Sequence, residues 1–288
     1  MRCLVLGGTG MLGRAVVAEA RSRGWSALGL SRDQADLADR DGLLGWAERF
    51  RPDLVVNCAA FTKVDAAETE RERAFAVNAD GVAHAVALAE RTGARLVQVS
   101  TDYVFDGRTR EPYREDAPTS PLSVYGESKL AGERLALACD RAAVVRTSWL
   151  FGPGGPNFVA TMVHLIESGR VPLRVVADQE GCPTSTPSLA RALLDLAARE
   201  VTGIVHFQNR ESVSWYAFAV EIARLWSGAV EVIPVTTAEF PRPAPRPAYS
   251  VLDVGRFESI AGRRVETWEE GLVETLAHLR HLRKERNQ

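Results

Sequence analysis

Two spacings of apolar residues alternate along the chain. Short unbroken runs of aliphatic and β-branched residues occupy positions 3–6, 26–30, 54–58, 96–100 and 143–147, and these read as strands buried on both faces. Between them, residues 12–23, 39–50, 68–92 and 125–139 repeat their apolar positions at three- and four-residue intervals, the spacing of amphipathic helices. Strand and helix in regular alternation predict an α/β fold, a Rossmann-type doubly wound parallel sheet.

The pattern changes after Trp149. Gly152, Pro153, Gly154, Gly155 and Pro156 form a breaker cluster, so the chain divides into a first unit over residues 1–150 and a smaller α/β region over 151–288. Strands are expected there at 173–177, 204–207 and 230–234 and helices at 187–200 and 215–226, with some segments returning to the first sheet. Residues 240–249 carry Pro241, Pro243, Pro245 and Pro247, which exclude a helix and predict an extended loop.

Composition narrows the class without changing this outline. In 288 residues, 46% hydrophobic and 25% charged is the ordinary globular balance, which excludes disordered, collagen-like and coiled-coil chains. A net charge of −2 lacks the basic field of a nucleic-acid binder. Cys3, Cys58, Cys139 and Cys182 are scattered without metal-ligand spacing and read as reduced thiols. No signal-peptide pattern and no apolar run of about 18 residues is present, so a cytoplasmic protein without a membrane partner is expected.

The first strand runs into Gly7, Gly8, Thr9, Gly10, Met11, Leu12 and Gly13, and a helix opens at once. Gly7 permits a tight turn, Gly10 lets a pyrophosphate approach the helix N-terminus, and Gly13 lets helix and sheet close together. After the second strand come Ser31, Arg32 and Asp33. A guanidinium at Arg32 suits a ribose 2′-phosphate, which favours NADP and leaves NAD possible, with Asp33 as a competitor for the arginine.

Tyr125 and Lys129 stand four residues apart on one predicted helix face, so both reach one ligand. Lys63, Lys129 and Lys284 are the only lysines, which makes this placement informative. Reduction of a ketone by hydride develops negative charge on oxygen and needs a proton donor; a phenol becomes a competent acid when a neighbouring ammonium lowers its pKa. Thr101 ends the fourth strand at the carboxyl edge where ligands of open α/β sheets collect, and can hydrogen-bond the carbonyl. Singly these residues read as a packed aromatic, a solvated charge and a strand-end cap; behind a dinucleotide turn they form one hydride-transfer constellation with Thr101, Tyr125 and Lys129 as catalytic candidates.

The chain resembles the extended short-chain dehydrogenases/reductases, and within them the dTDP-4-dehydrorhamnose reductase family. The resemblance rests on GGTGMLG at 7–13, RPDLVVNCAAFTKVDAAE at 51–68, STDYVFDG at 100–107, SPLSVYGESKLAGE at 120–133, RTSWLFGPGGPNF at 146–158, DQEGCPT at 178–184 and RPAYSVLD at 246–253. It implies Gly10, Met11 and Leu12 at the pyrophosphate, Asp36 and Leu37 at the adenine, and Ala59, Ala60, Phe61 and Thr62 towards the nicotinamide. It implies Tyr125 as proton donor, Lys129 as its support, Thr101 and Asp102 against the sugar, Trp149 as a pocket wall, and Arg246 in a loop over the nucleotide phosphates. The implied substrate is a dTDP-sugar, dTDP-4-dehydro-6-deoxy-L-mannose, reduced at its 4-keto group by a monomer or homodimer.

Members that dimerise through magnesium use glutamates where Pro187 stands here, so no such metal site is expected. Relatives in antibiotic-sugar pathways reduce other dTDP-4-ketohexoses with the same motifs. A non-catalytic relative, like the β subunit of methionine adenosyltransferase, is the alternative from another class, and the intact Thr101, Tyr125 and Lys129 count against it. A dehydratase would carry an acidic pair after Thr101, where the chain has Asp102 followed by Tyr103.

Overall fold

The computed structural model describes residues 1–286. The first half runs β1 (Arg2–Leu6), α1 (Met11–Ser22), β2 (Ser26–Leu30), α2 (Arg40–Phe50), β3 (Leu54–Asn57), α3 (Val64–Ala67), α4 (Arg71–Phe75), a π-helical turn (Ala76–Asp80), α5 (Gly81–Thr92), β4 (Arg95–Thr101), α6 (Val124–Ala136) and β5 (Ala142–Thr147). It continues with β6 (Leu150–Phe151), α7 (Phe158–Glu167), β7 (Leu173–Val176), β8 (Glu180–Gly181), β9 (Thr184–Ser185), α8 (Thr186–Ala198), β10 (Gly203–His206), β11 (Val213–Ser214), α9 (Trp215–Trp226), β12 (Val232–Val235), α10 (Gly255–Ala261) and α11 (Trp268–Arg286). Among the described residues no helix is long and apolar enough to cross a membrane.

Six parallel strands form the central sheet in the order β10-β5-β4-β3-β1-β2. The period-two geometry of each strand divides its residues between two cores. Cys3, Val5, Leu54, Val56, Val97 and Val145 meet α1 and α8 on one face, while Leu4, Leu6, Val55, Leu96 and Val144 meet α2 and α5 on the other. This double burial explains why the strands read as unbroken apolar runs.

The strand expected at 204–207 is β10, which pairs with β5 and becomes the sixth strand of the main sheet. Helix α8 packs on the same sheet beside α1. Helix α10 joins them through Phe257, so three segments after residue 150 belong with the first sheet. A third core, around Phe151, Val163, Leu173, Phe218, Trp268 and Leu272, lies among α7, β7, α9, β12 and α11. Residues 240–249 run without helix or named strand, as the prolines require.

The single helix expected over 68–92 is broken. Glu68 closes α3, its Oε1 accepting from the Val124 amide at 2.9 Å, and the chain leaves the helical path at Glu70, with φ −111 and ψ 42. The chain re-enters as α4, passes through the π turn, and becomes α5 only at Gly81. The π turn carries one residue more than α-helical geometry holds, and it swings Asn78 inward, where the site uses it.

Candidate active site

The chain goes to one side of β1 for β2 and to the other for β3, and the crevice between β1 and β3 opens at the carboxyl ends of the strands. A cavity of about 740 Å³ occupies it. Gly7, Gly10, Met11, Leu12 and Gly13 line its floor. Gly7 has φ +71, and a Cβ at Gly13 would lie 2.1 Å from the Gly7 carbonyl oxygen, so only glycine fits either position. The N-cap of α1 is Gly10, with no side-chain hydrogen bond over the first turn. The exposed amides and the positive end of α1 thus face the cavity bare, which fits a pyrophosphate.

Arg32, Asp36 and Leu37 line the end beyond β2, and Ala59, Ala60, Phe61 and Thr62 line the opposite wall. The arginine's partner is Asp36 rather than Asp33: Arg32 Nε donates to Asp36 Oδ2 at 3.1 Å. Asp36 is held below the usual carboxylate range, first by the Ala38 amide and then by Arg32. Ser31 lies outside the lining; its amide donates to Gln34 Oε1 and its carbonyl accepts from the Gln34 and Ala35 amides, which commits its backbone to the turn after β2.

The wall 59–62 is fixed by Asn78, which sequence reasoning missed. The Phe61 amide donates to Asn78 Oδ1 at 2.8 Å, and Asn78 Nδ2 donates to the Phe61 carbonyl at 3.1 Å and to Ser128 Oγ at 3.0 Å. A buried side-chain amide is here fully paired, and it joins the wall 59–62 to the helix bearing Tyr125 and Lys129.

Helix α6 starts at Ser123, whose Oγ accepts from the Gly126 amide at 3.2 Å. Tyr125 and Lys129, one turn apart on α6, line the cavity with Thr101 at the end of β4. Lys129 Nζ donates to the Val99 carbonyl at 2.7 Å. Burial lowers its pKa to about 8, with the Glu133 charge opposing. Burial raises the Tyr125 phenol to about 12, and its bond with Thr101 opposes the rise. Tyr103 packs edge-on to Tyr125 with centroids 5.6 Å apart, fixing the ring.

Thr101 Oγ1 donates to Asp102 Oδ1 at 2.9 Å, whereas Asp102 Oδ2 is buried without a partner among the described residues. Burial raises this carboxyl to about 6. A buried unpaired carboxylate oxygen beside the cavity suits a sugar hydroxyl.

Trp149 lines the cavity and stacks on Trp215, with centroids 3.5 Å apart and rings 5° from parallel. Trp149 takes φ +46, and a Cβ at Gly181 would stand 2.5 Å from its ring, so Gly181 clears the space for the stack. Trp215, the first residue of α9, arrives from the second half of the chain and nothing in its local sequence marks it. Arg73 and Cys58 also line the cavity without having been singled out. Arg246 does not line it: Nη1 pairs with Asp65 Oδ1 at 2.6 Å, holding the loop 240–249 against α3.

Behind α6 lies a buried polar network. Arg146 donates through Nε to Glu133 Oε1 at 2.9 Å and through Nη2 to Oε2 at 2.8 Å, and Ser100 Oγ donates to the same carboxylate at 2.5 Å. Arg146 Nη1 faces His206 Nε2 at 3.3 Å. Since a guanidinium only donates, Nε2 is the acceptor, and Nδ1 carries the hydrogen donated to the Tyr113 carbonyl at 3.0 Å. Burial, with Arg146 beside it, pushes His206 down to about 3, so the ring is neutral at physiological pH.

A family model described as "RmlD substrate binding domain" matches residues 1–281. The spore coat polysaccharide biosynthesis protein SpsK of Bacillus subtilis (strain 168) is 40% identical over 276 residues, covering 96% of both chains. A dTDP-4-dehydrorhamnose reductase of Streptomyces griseus is 42% identical over 286 residues, covering 96% of this chain and 94% of the relative. Among solved structures, a dTDP-4-dehydrorhamnose reductase from Bacillus anthracis str. Ames in complex with NADP superposes with a TM-score of 0.92 at 35% identity, covering 96% of this chain and 98% of the other.

Proposed function

The chain belongs to the RmlD substrate-binding-domain family, and from that membership we propose that it reduces the 4-keto group of dTDP-4-dehydro-6-deoxy-L-mannose to dTDP-L-rhamnose, with NADPH favoured over NADH. The observation that carries the proposal is one cavity lined by the bare α1 N-terminus at one end and by Thr101, Tyr125 and Lys129 at the other. The reduced nicotinamide supplies the hydride. Tyr125 Oη supplies the proton to the developing alkoxide, and the Lys129 ammonium favours the phenolate left behind. Thr101 turns its hydroxyl from Asp102 to the carbonyl oxygen, and Asp102 holds a hydroxyl of the sugar. Trp149 and Trp215 wall the sugar end, and Arg246 exchanges Asp65 for the nucleotide phosphates as the loop 240–249 settles over them. The four free thiols fit a cytoplasmic setting, and a monomer or homodimer suffices because one chain carries the constellation.

The test is to add freshly prepared dTDP-4-dehydro-6-deoxy-L-mannose and follow oxidation of NADPH and, separately, NADH. Oxidation with NADPH preferred supports the whole reading. Failure with this sugar but turnover of another dTDP-4-ketohexose would replace the substrate, and failure with every such sugar would remove the reductase.

Lys129 gives the reaction a pH dependence. Its depressed pKa means that the ammonium is lost as pH rises through about 8, while Tyr125 keeps its proton to about 12. The acid is then present but unsupported. The expected result is a kcat/KM that falls above pH 8 towards about tenfold per pH step, the slope of one essential proton. A profile flat well beyond that point would take the Lys129 charge out of the mechanism.

A further inference from the structure

The adenosine end of the cavity holds two arginines and one carboxylate. Arg32 uses only Nε on Asp36; among the described residues its two terminal nitrogens make no hydrogen bond, so the fork of the guanidinium is open. Across from it, Arg73 of α4 lines the same cavity, its guanidinium centred 5.6 Å from the Phe61 ring and its Nη1 donating to Glu70 Oε2 at 2.7 Å. Asp36 lies in the field of both arginines, and both contribute to holding its carboxyl low. The side chains of Arg32 and Arg73 are 62% and 54% exposed, so their present ion pairs are screened by water and yield readily to a stronger anion.

We propose that Arg73 is a specificity-determining residue for the dinucleotide, closing with Arg32 on a ribose 2′-phosphate, while Asp36 between them accepts a ribose 2′-hydroxyl and keeps NAD bindable. The inference rests on the dinucleotide reading above. A phosphomonoester carries nearly two negative charges and three acceptor oxygens at neutral pH, enough to engage two guanidinium forks at once. Asp36, ionised under the same conditions, repels that phosphate but is the better partner for a neutral hydroxyl. Glu70, the present partner of Arg73, lies outside the cavity lining, so once Arg73 leaves it for the phosphate two guanidiniums face one carboxylate, which gives preference for NADP without exclusion of NAD. Arg73 comes from a helix beyond β3, so the corner is built across the crevice and not within the βαβ unit where such residues are usually sought.

Calorimetric titration of NADP⁺, NAD⁺, 2′,5′-ADP and 5′-ADP into the wild type, Arg73→Ala and Asp36→Asn tests this without turnover. Arg73→Ala should weaken NADP⁺ and 2′,5′-ADP by about tenfold and leave NAD⁺ and 5′-ADP within about twofold, the difference expected from one charge-assisted contact. Asp36→Asn should weaken NAD⁺ more than NADP⁺. Equal losses for both dinucleotides in Arg73→Ala would show that the residue acts through Phe61 on the shared wall, and no loss would show that it touches neither; each result overturns the proposal. Absence of any dinucleotide binding to the wild type would instead overturn the reductase reading, and this inference with it.

Discussion

Replacing Tyr125 by phenylalanine should lower kcat by about 10²- to 10⁴-fold while the affinity for NADPH changes by less than about twofold, the magnitude usual for loss of a positioned proton donor. The substitution removes one oxygen and keeps the ring that Tyr103 packs against edge-on, so the wall of the cavity survives. Lys129 keeps its bond to the Val99 carbonyl, which does not involve the phenol. Steady-state turnover with the 4-ketosugar and a separate fluorescence titration with NADPH distinguish the loss of an acid from the loss of a binding surface. If kcat survives within a few fold, water or Thr101 delivers the proton and Tyr125 has only a packing role. If NADPH binding collapses together with turnover, the phenol serves the cofactor more than the reacting oxygen.

The second large effect is on stability. Arg146 and Glu133 are almost wholly enclosed, with side chains 3% and 2% exposed, and are joined by two hydrogen bonds. Arg146→Met should cost about 3–5 kcal/mol of unfolding free energy, because it strands a carboxylate in the interior and deprives His206 Nε2 of its donor. Removing both charges together, in Glu133→Leu with Arg146→Met, should cost less than Arg146→Met alone, since no uncompensated charge then remains. Urea unfolding of the single and double variants reads both values. A single variant as stable as the wild type would mean that the carboxylate finds water or a proton with little strain. The double variant also removes the charge that supports the Lys129 ammonium, so it should move the alkaline limb of the activity profile to lower pH even where the fold is retained.

Several parts of this arrangement can be read from the chain because their signals are local. The glycines at 7–13 need neighbours only a few positions away, and Tyr125 with Lys129 declares itself by helical spacing and by the rarity of lysine. The five strands of the first half are legible because burial on both faces makes each a continuous apolar run. Asn78 is hidden for the opposite reason: one extra residue in a helical turn leaves the average apolar spacing of 68–92 intact, so periodicity cannot register the rotation that brings the amide to Phe61. Trp215 and Arg73 reach the cavity through pairings between distant segments, and an arginine in an arginine-rich chain carries no mark of its neighbours. The strand β10 shows as a strand, yet its place beside β5 depends on where α8 docks, which is a tertiary choice. The network of Ser100, Glu133, Arg146 and His206 is likewise drawn from three strands and a helix, with no spacing in common.

The π turn at Ala76–Asp80 sets a limit on how this chain can change in length. An α-helix advances by about 100° per residue, so a one-residue deletion in that turn would rotate α5 by that angle unless the turn unwound. Val82, Ala85 and Leu88 would turn out of the sheet-facing core and their places would pass to Ala83, Val86 and Ala89, which do not match them in shape, and Asn78 would lose Phe61 in the same event. Substitutions along this segment act on one contact at a time. A shortened segment would act on the core and on the cavity wall 59–62 together, so the number of residues between α4 and α5 is itself a constraint, independent of which residues they are.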